Sequence, residues 1–183
     1  MLDDQQKLLV KDSWRMVVPI AETAADLFYK RLFELRPDYR VYFKGDLVAQ
    51  KRKLIAMLSF IVQAVDWPDS AWREQVAAEH DLFLIVLALG RRHSDLYAIP
   101  DSTYDTVGEA LLWTLDYGLG KAFTPEVRAA WTQLYTLLAL TMKMGRLSVL
   151  PVEEGDRVIR KIVAPSAPSA PSVIEAELAQ AVE

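Results

Sequence analysis

The chain has 183 residues, a length typical of one domain with some residues left over for a tail. Hydrophobic residues make up 52% of it and charged residues 25%, as expected of a domain that buries a core. The formal net charge of −4 argues against a protein that binds nucleic acid mainly by electrostatic attraction, and the absence of cysteine excludes disulfides, thiolate metal sites and cysteine nucleophiles.

Two further features concern the location of the protein. The N-terminal stretch MLDDQQKLLVKDSW lacks the apolar region of a signal peptide. No run of the sequence approaches the roughly 18 apolar residues that a membrane span needs. We therefore expect a cytoplasmic protein that does not enter a membrane.

Long segments with a helical period of apolar residues follow one another from the N-terminus. No alternating strand pattern interrupts them, so the sequence predicts an all-α fold. Pro37 is expected to open a short helical turn through Tyr42. The predicted helices cover residues 3–18, 20–36, 46–65, 73–95, about 103–117 and about 124–144.

The ends of the last predicted helices carry clear start and stop signals. The sequence Pro100-Asp101-Ser102 is predicted to stop one helix and cap the next. Thr124-Pro125-Glu126 combines a capping threonine, a proline at the first helical position and an acid in the first turn. It predicts a helix that starts at this point.

The last part of the chain differs in composition from the rest. It contains APSAPSAPS, a repeat of small residues and proline that is typical of linkers and does not pack a core. We therefore predict a helical domain over residues 1–147 and a flexible tail over 148–183, with a short weakly helical end. A docking segment and a link to an output domain are the alternatives to a disordered tail.

One of the two histidines lies in an apolar helix. Leu82, Ile85, Val86, Leu89 and His93 recur at helical spacing and share one face. A histidine in this position is either a core residue whose ring finds a hydrogen bond, or a ligand that binds a metal through one nitrogen.

Other polar residues also interrupt or border apolar faces. Gln50 lies one turn from Leu54 in a stripe that is otherwise apolar, so it either reaches solvent or a backbone group, or donates to a bound ligand. Tyr29 and Tyr104 each have two interpretations. The side chain either packs at the edge of the core or presents its hydroxyl group to a pocket.

Four blocks of sequence in this order resemble the globins. They are RLFELRPDYRVYF (31–43), LGRRH (89–93), YDTVGEALLWTL (104–115) and FTPEVRAAWTQLY (123–135). The resemblance is to bacterial single-domain haemoglobins and to neuroglobin-like and flavohaemoglobin-like globin domains. It implies a 3-over-3 helical sandwich over residues 1–147 that binds haem b.

The resemblance also implies a role for individual residues. His93 is the expected axial ligand of the haem iron, and Tyr29, Gln50 and Leu54 are the expected distal pocket. Lys53 is expected beside a haem propionate. The remaining expected haem contacts are Phe43, Leu89, Tyr104, Val107 and Leu111.

The implied activity is high-affinity, reversible binding of O₂, and of NO and CO. A tyrosine hydroxyl and a glutamine amide both donate hydrogen bonds to bound O₂ and slow its loss. Such retention suits conversion of NO to nitrate, which would need an external reductase because no flavin domain is expected. The alternatives are a haem-based gas or redox sensor that acts through the C-terminal tail, and a structural globin without haem.

Two positions depart from the related patterns. Position 50 carries glutamine, so ligation of the iron by two histidines, as in neuroglobins, is not expected. The proximal glutamate of flavohaemoglobins falls at about Arg146. The carboxylate that would bond His93 is therefore expected to be missing, with a backbone carbonyl in its place.

Overall fold

The computed structural model describes residues 2–43, 45–66, 82–146 and 153–164, and within these ranges it contains helices and no strand. The all-α prediction is therefore confirmed, while predicted helical residues 73–81 lie outside the described ranges. Among the described residues, 3₁₀ turns cover Val18–Ile20, Pro37–Tyr42 and Gly120–Ala122. The α-helices are α1 (Asp4–Val17), α2 (Ala21–Leu35), α3 (Leu47–Ala64), α4 (Leu82–Tyr97), α5 (Thr103–Leu119), α6 (Pro125–Gly145) and α7 (Glu153–Val163).

Side chains that precede a helix set where α3 and α6 begin. At α6 the Thr124 hydroxyl accepts a hydrogen bond from the Val127 N–H at 3.3 Å, with Pro125 in the first position, so the predicted start is confirmed. At α3 the Asp46 carboxylate accepts from the Val48 N–H at 2.8 Å. Each bond satisfies an N–H that the helix itself leaves without a partner.

The predicted boundary at Pro100-Asp101-Ser102 coincides with the start of α5. Ser102 stands at the N-cap, but its side chain makes no capping hydrogen bond. The backbone supplies the turn instead: the Thr103 N–H donates to the Pro100 carbonyl at 3.0 Å, and the Tyr104 N–H donates to the Asp101 carbonyl at 3.3 Å. The backbone carbonyls of Pro100 and Asp101 therefore cap this helix, and the Ser102 hydroxyl does not.

The helices pack around one buried core. Helix α2 packs against α3 and α5, and α6 packs against α1, α4 and α5. Trp131 of α6 is 1% exposed, and its indole N–H donates to the buried Ser13 hydroxyl of α1 at 2.9 Å. That hydroxyl in turn donates to the Val10 carbonyl at 3.0 Å, so the buried polar group is satisfied.

Helix α7 lies in the segment that the sequence predicts to be a tail. It packs against both α3 and α4, and its Val158 and Ile159 are 7% and 2% exposed. These two residues belong to the same buried cluster as the core of the other helices. The boundary at residue 147 stays a prediction. Among the described residues no helix combines the length and the apolar character that crossing a bilayer requires.

Candidate functional site

A cavity of about 290 Å³ lies among α2 to α7, and most of its lining is apolar. Its volume is close to the lower end of the range for cofactor and small-molecule sites. All ten residues singled out from the sequence line this one cavity, and their individual roles remain predictions. They are Tyr29, Phe43, Gln50, Lys53, Leu54, Leu89, His93, Tyr104, Val107 and Leu111.

His93 presents its imidazole to the cavity from α4, where the residue is half-buried. Burial lowers the pKa of the imidazole below its ordinary value. A hydrogen bond to the backbone of Leu89 acts in the opposite direction, and the Arg92 charge lowers the pKa further. The ring is therefore held in its neutral form, which is the form that binds a metal.

Helix α4 holds His93 in place through its contact with α6 and through the turn that follows it. A β-carbon on Gly145 of α6 would lie 2.2 Å from the Leu87 carbonyl oxygen, so the two backbones meet where only glycine fits. After the helix, Ala98 has a φ of 49°, and the Ile99 N–H donates to the His93 carbonyl at 3.3 Å. Both features fix the direction of the last turns of α4.

Tyr104 of α5 packs beside the His93 imidazole. The centroids of the His93 and Tyr104 rings are 6.4 Å apart, with an angle of 89° between the ring planes. The Tyr135 hydroxyl of α6 donates to the Tyr104 backbone carbonyl. Burial, assisted by the Asp101 charge, raises the pKa of Tyr104 to about 12, so its hydroxyl stays protonated near neutral pH. Tyr104 and Tyr135 thus tie α5 and α6 together beside His93.

Tyr29 reaches the cavity from α2 and is 5% exposed. Three aromatic rings hold it: the centroids of Phe28, Phe43 and Phe33 lie 5.1, 5.3 and 5.9 Å from its own. Phe28 and Phe43 meet it edge to face, which is a favourable arrangement for aromatic pairs. Burial raises the pKa of the Tyr29 phenol to about 12, so this phenol remains a hydrogen-bond donor near neutral pH.

Gln50 and Leu54 occupy successive turns near the start of α3, and both line the cavity. The Gln50 backbone N–H donates a hydrogen bond to the Asp46 carbonyl at 3.1 Å, which fixes the backbone at this position. The Gln50 side chain is half-buried, and no described residue hydrogen-bonds its amide. The amide is therefore available to a group inside the cavity.

Two cations lie among the lining residues, while no aspartate or glutamate does so within the described part of the chain. Lys53 is exposed and Arg92 is half-buried, whereas the adjacent Arg91 pairs with Asp95 at 3.5 Å. Arg146 pairs with Asp101 at 3.7 Å. Positive charge thus predominates among the ionisable groups that the described residues place at the cavity.

The sequence reasoning missed several lining residues. Tyr39 and Thr103 are buried, and neither hydroxyl has a hydrogen-bond partner among the described residues. Ile159 and Val163 reach the cavity from α7. The recurrence of apolar residues at 158, 159, 162 and 163 would have predicted a helix with one buried face, but the neighbouring Pro-rich repeat obscured this pattern.

The side chains around the cavity fit a haem group. Haem needs one neutral imidazole for its iron, apolar walls for its ring and cations for its carboxylates. His93 is the histidine available here, and Lys53 and Arg92 supply positive charge among the lining residues. The unpaired Tyr39 and Thr103 hydroxyls are buried polar groups for which a ligand in the cavity would account.

Comparison with known proteins agrees with this fit. The Globin family model matches residues 26–142, which is more than half of the chain. The neuroglobin of Tetraodon nigroviridis is 27% identical over 147 residues, covering 79% of this chain and 92% of the relative. The neuroglobin of Danio rerio is 26% identical over 151 residues, with the same shares covered. The chain therefore belongs to the globin family, whose members bind haem iron and, through it, O₂ and related gases reversibly.

Proposed function

We propose that this globin holds O₂ tightly: His93 would hold the haem iron, and Tyr29 and Gln50 would donate hydrogen bonds to the gas. The observation that carries the proposal is that these three side chains line one cavity although they come from three different helices. Bound haem supplies the iron that takes up the gas and that exchanges one electron with it. The roles of the protein side chains follow from their burial and their protonation.

His93 is suited to ligate iron because its imidazole is neutral. Burial lowers its pKa, so the nitrogen lone pair is not occupied by a proton near neutral pH. The imidazole lies among the residues that line the cavity, where it can reach a metal bound there.

Tyr29 and Gln50 are suited to retain a polar diatomic gas. The raised pKa of Tyr29 keeps its hydroxyl protonated, and the Gln50 amide has no partner among the described residues. A hydrogen bond of this kind contributes on the order of 1–3 kcal/mol when the group it serves is buried. Two such bonds would slow the release of O₂ by roughly tens- to thousands-fold.

Slow release gives NO time to react with the retained O₂. Combination of O₂ with NO and one electron gives nitrate, so each turnover must return one electron to the protein. We therefore propose NO dioxygenation with an external reductase as the activity that follows from O₂ retention.

The deciding experiment is stopped-flow measurement of O₂ release from the haem-loaded protein. Tyr29→Phe and Gln50→Leu are each expected to release O₂ at least about fivefold faster, because each loses one donor. Tyr117→Phe is the matched control, since Tyr117 is 67% exposed on α5. Release rates for Tyr29→Phe and Gln50→Leu that equal the wild-type rate would refute retention by these donors.

Gas sensing through the C-terminal segment is the second candidate, and the presence of α7 side chains in the cavity lining favours it. The two candidates differ in turnover. With NO and a reductant, a dioxygenase forms nitrate repeatedly, whereas a sensor forms at most one nitrate for each haem. Measuring nitrate against haem concentration therefore separates them.

A further inference from the structure

We propose that α7 is a wall of the haem cavity, in which Ile159 and Val163 are additional haem-pocket residues that seal it and set how readily haem is lost. The inference rests on the haem site proposed around His93. It goes beyond that site because it gives a binding role to a helix outside the residues matched by the globin family model, 26–142.

The position of α7 is the first argument. The helix packs against both α3 and α4, which carry Gln50 and His93 respectively. It thereby bridges the two helices that present the distal and proximal groups. A helix in this position restricts the separation of α3 and α4, and that separation determines whether a flat cofactor stays enclosed.

The side chains of α7 divide into two faces. Val158 and Ile159 are buried, and Ile162 and Val163 pack against the core, whereas Arg160 and Lys161 are exposed. Only some residues of the apolar face reach the cavity: Ile159 and Val163 line it, and Val158 does not. The helix therefore serves both as part of the core and as part of the cavity wall.

The chemistry of this wall suits the retention of haem. Burial of apolar surface stabilises a bound apolar ring in proportion to the area removed from water. An apolar wall also keeps water from the imidazole–iron bond and from the hydrogen bonds of the distal donors, which are stronger where water is excluded. Loss of Ile159 or Val163 from the wall is thus expected to weaken haem retention more than gas selectivity.

Haem transfer to an excess of an apoglobin acceptor tests the proposal in the full-length protein. Val163→Ala and Ile159→Ala are expected to transfer haem roughly three- to tenfold faster than the wild type, because each removes apolar contact from the cavity wall. Val158→Ala is the matched control, since it removes the same atoms as Val163→Ala from the same helix without opening the cavity. It should transfer haem at close to the wild-type rate.

Equal transfer rates in Val163→Ala, Ile159→Ala and Val158→Ala would overturn the proposal and leave α7 with a purely structural role. Free energies of unfolding measured on the same three variants separate this outcome from general destabilisation. Faster transfer that follows the loss of stability across all three variants, Val158→Ala included, also counts against the proposal.

A second measurement needs no haem. Because the chain has no cysteine, Val158→Cys and Arg160→Cys each place one thiol on α7. In the haem-free protein the thiol of Val158→Cys should react with a maleimide at least about tenfold more slowly than that of Arg160→Cys, because position 158 is buried and position 160 exposed. Equal reactivity of the two thiols would show that α7 does not pack against α3 and α4, and would refute its role as a wall of the cavity. Unchanged O₂ release in Tyr29→Phe would instead refute only the distal donors.

Discussion

Gly90 and Met142 bring α4 and α6 into backbone contact one turn before His93. A β-carbon on Gly90 would lie 2.1 Å from the Met142 carbonyl oxygen and 2.4 Å from its α-carbon. Both neighbours are backbone atoms, which cannot rotate away as a side chain could. The position of the proposed iron ligand therefore depends on the absence of a side chain at residue 90.

Gly90→Ala is expected to push α4 away from α6 and to lower the free energy of unfolding by about 1–3 kcal/mol. It should also speed haem transfer, because His93 lies one turn further along the same helix. Gly45→Ala is the control, since a β-carbon there meets no atom within 4 Å. Denaturant unfolding and haem transfer measure the two effects. Equal results for the two alanine variants would contradict the packing argument.

His93→Gly is expected to abolish the haem Soret band of the purified protein, or to reduce it severely, because no other described histidine lines the cavity. Added imidazole should restore the band in this variant by filling the space of the lost side chain. His80→Gln is the control, since His80 is the other histidine of the chain and lies outside the described residues. Full haem retention in His93→Gly would exclude His93 as the ligand.

The hydrogen bond from Tyr29 should persist in mildly alkaline solution. Burial raises the pKa of Tyr29 to about 12, so the folded chain holds this proton more tightly than the unfolded chain does. The contribution of this pKa difference to the free energy of unfolding is fully present below about pH 10 and is lost as the pH rises through about 12.

The measurement is the ratio of O₂ release rates in Tyr29→Phe and the wild type, taken at about pH 7 and at about pH 10, where an ordinary phenol would be half ionised. We expect the same ratio at both values. A ratio that falls below about 2 at the higher pH would show an ordinary phenol, because the half of the molecules that is ionised would release O₂ as fast as Tyr29→Phe does.

Ser13→Ala is expected to destabilise the fold by about 1–3 kcal/mol, because it leaves the buried Trp131 indole N–H without its acceptor. Ser59→Ala removes the acceptor of the Trp14 indole, which it contacts at 3.2 Å, but Ser59 is only half-buried and water can replace it. We expect a loss below about 1 kcal/mol there. Thermal or denaturant unfolding compares the two variants, and a larger loss for Ser59→Ala would reverse the argument.

Local signals in the sequence determined the helices of the domain. A capping threonine, a proline at the first helical position and apolar residues at helical spacing act within one or two turns, so they predicted α6 and the 3₁₀ turn at Pro37 without knowledge of the fold. The sequence also predicted the boundary at Pro100-Asp101-Ser102, where backbone carbonyls and not the Ser102 side chain accept the hydrogen bonds. The choice between a backbone and a side-chain acceptor depends on geometry that the sequence pattern does not contain.

Local signals in the sequence did not suffice to predict which residues form the candidate site. The helical period placed His93 and Gln50 on apolar faces, but a core residue and a ligand give the same pattern, and only the resemblance to globins brought them together. The tertiary structure decided that they share one cavity with Tyr29, and that Tyr39 and Thr103 line it with buried hydroxyls.

The tertiary structure also decided that α7 packs against α3 and α4. Apolar residues at helical spacing show that one face of a helix will be buried. Which element covers that face depends on the packing of the whole chain.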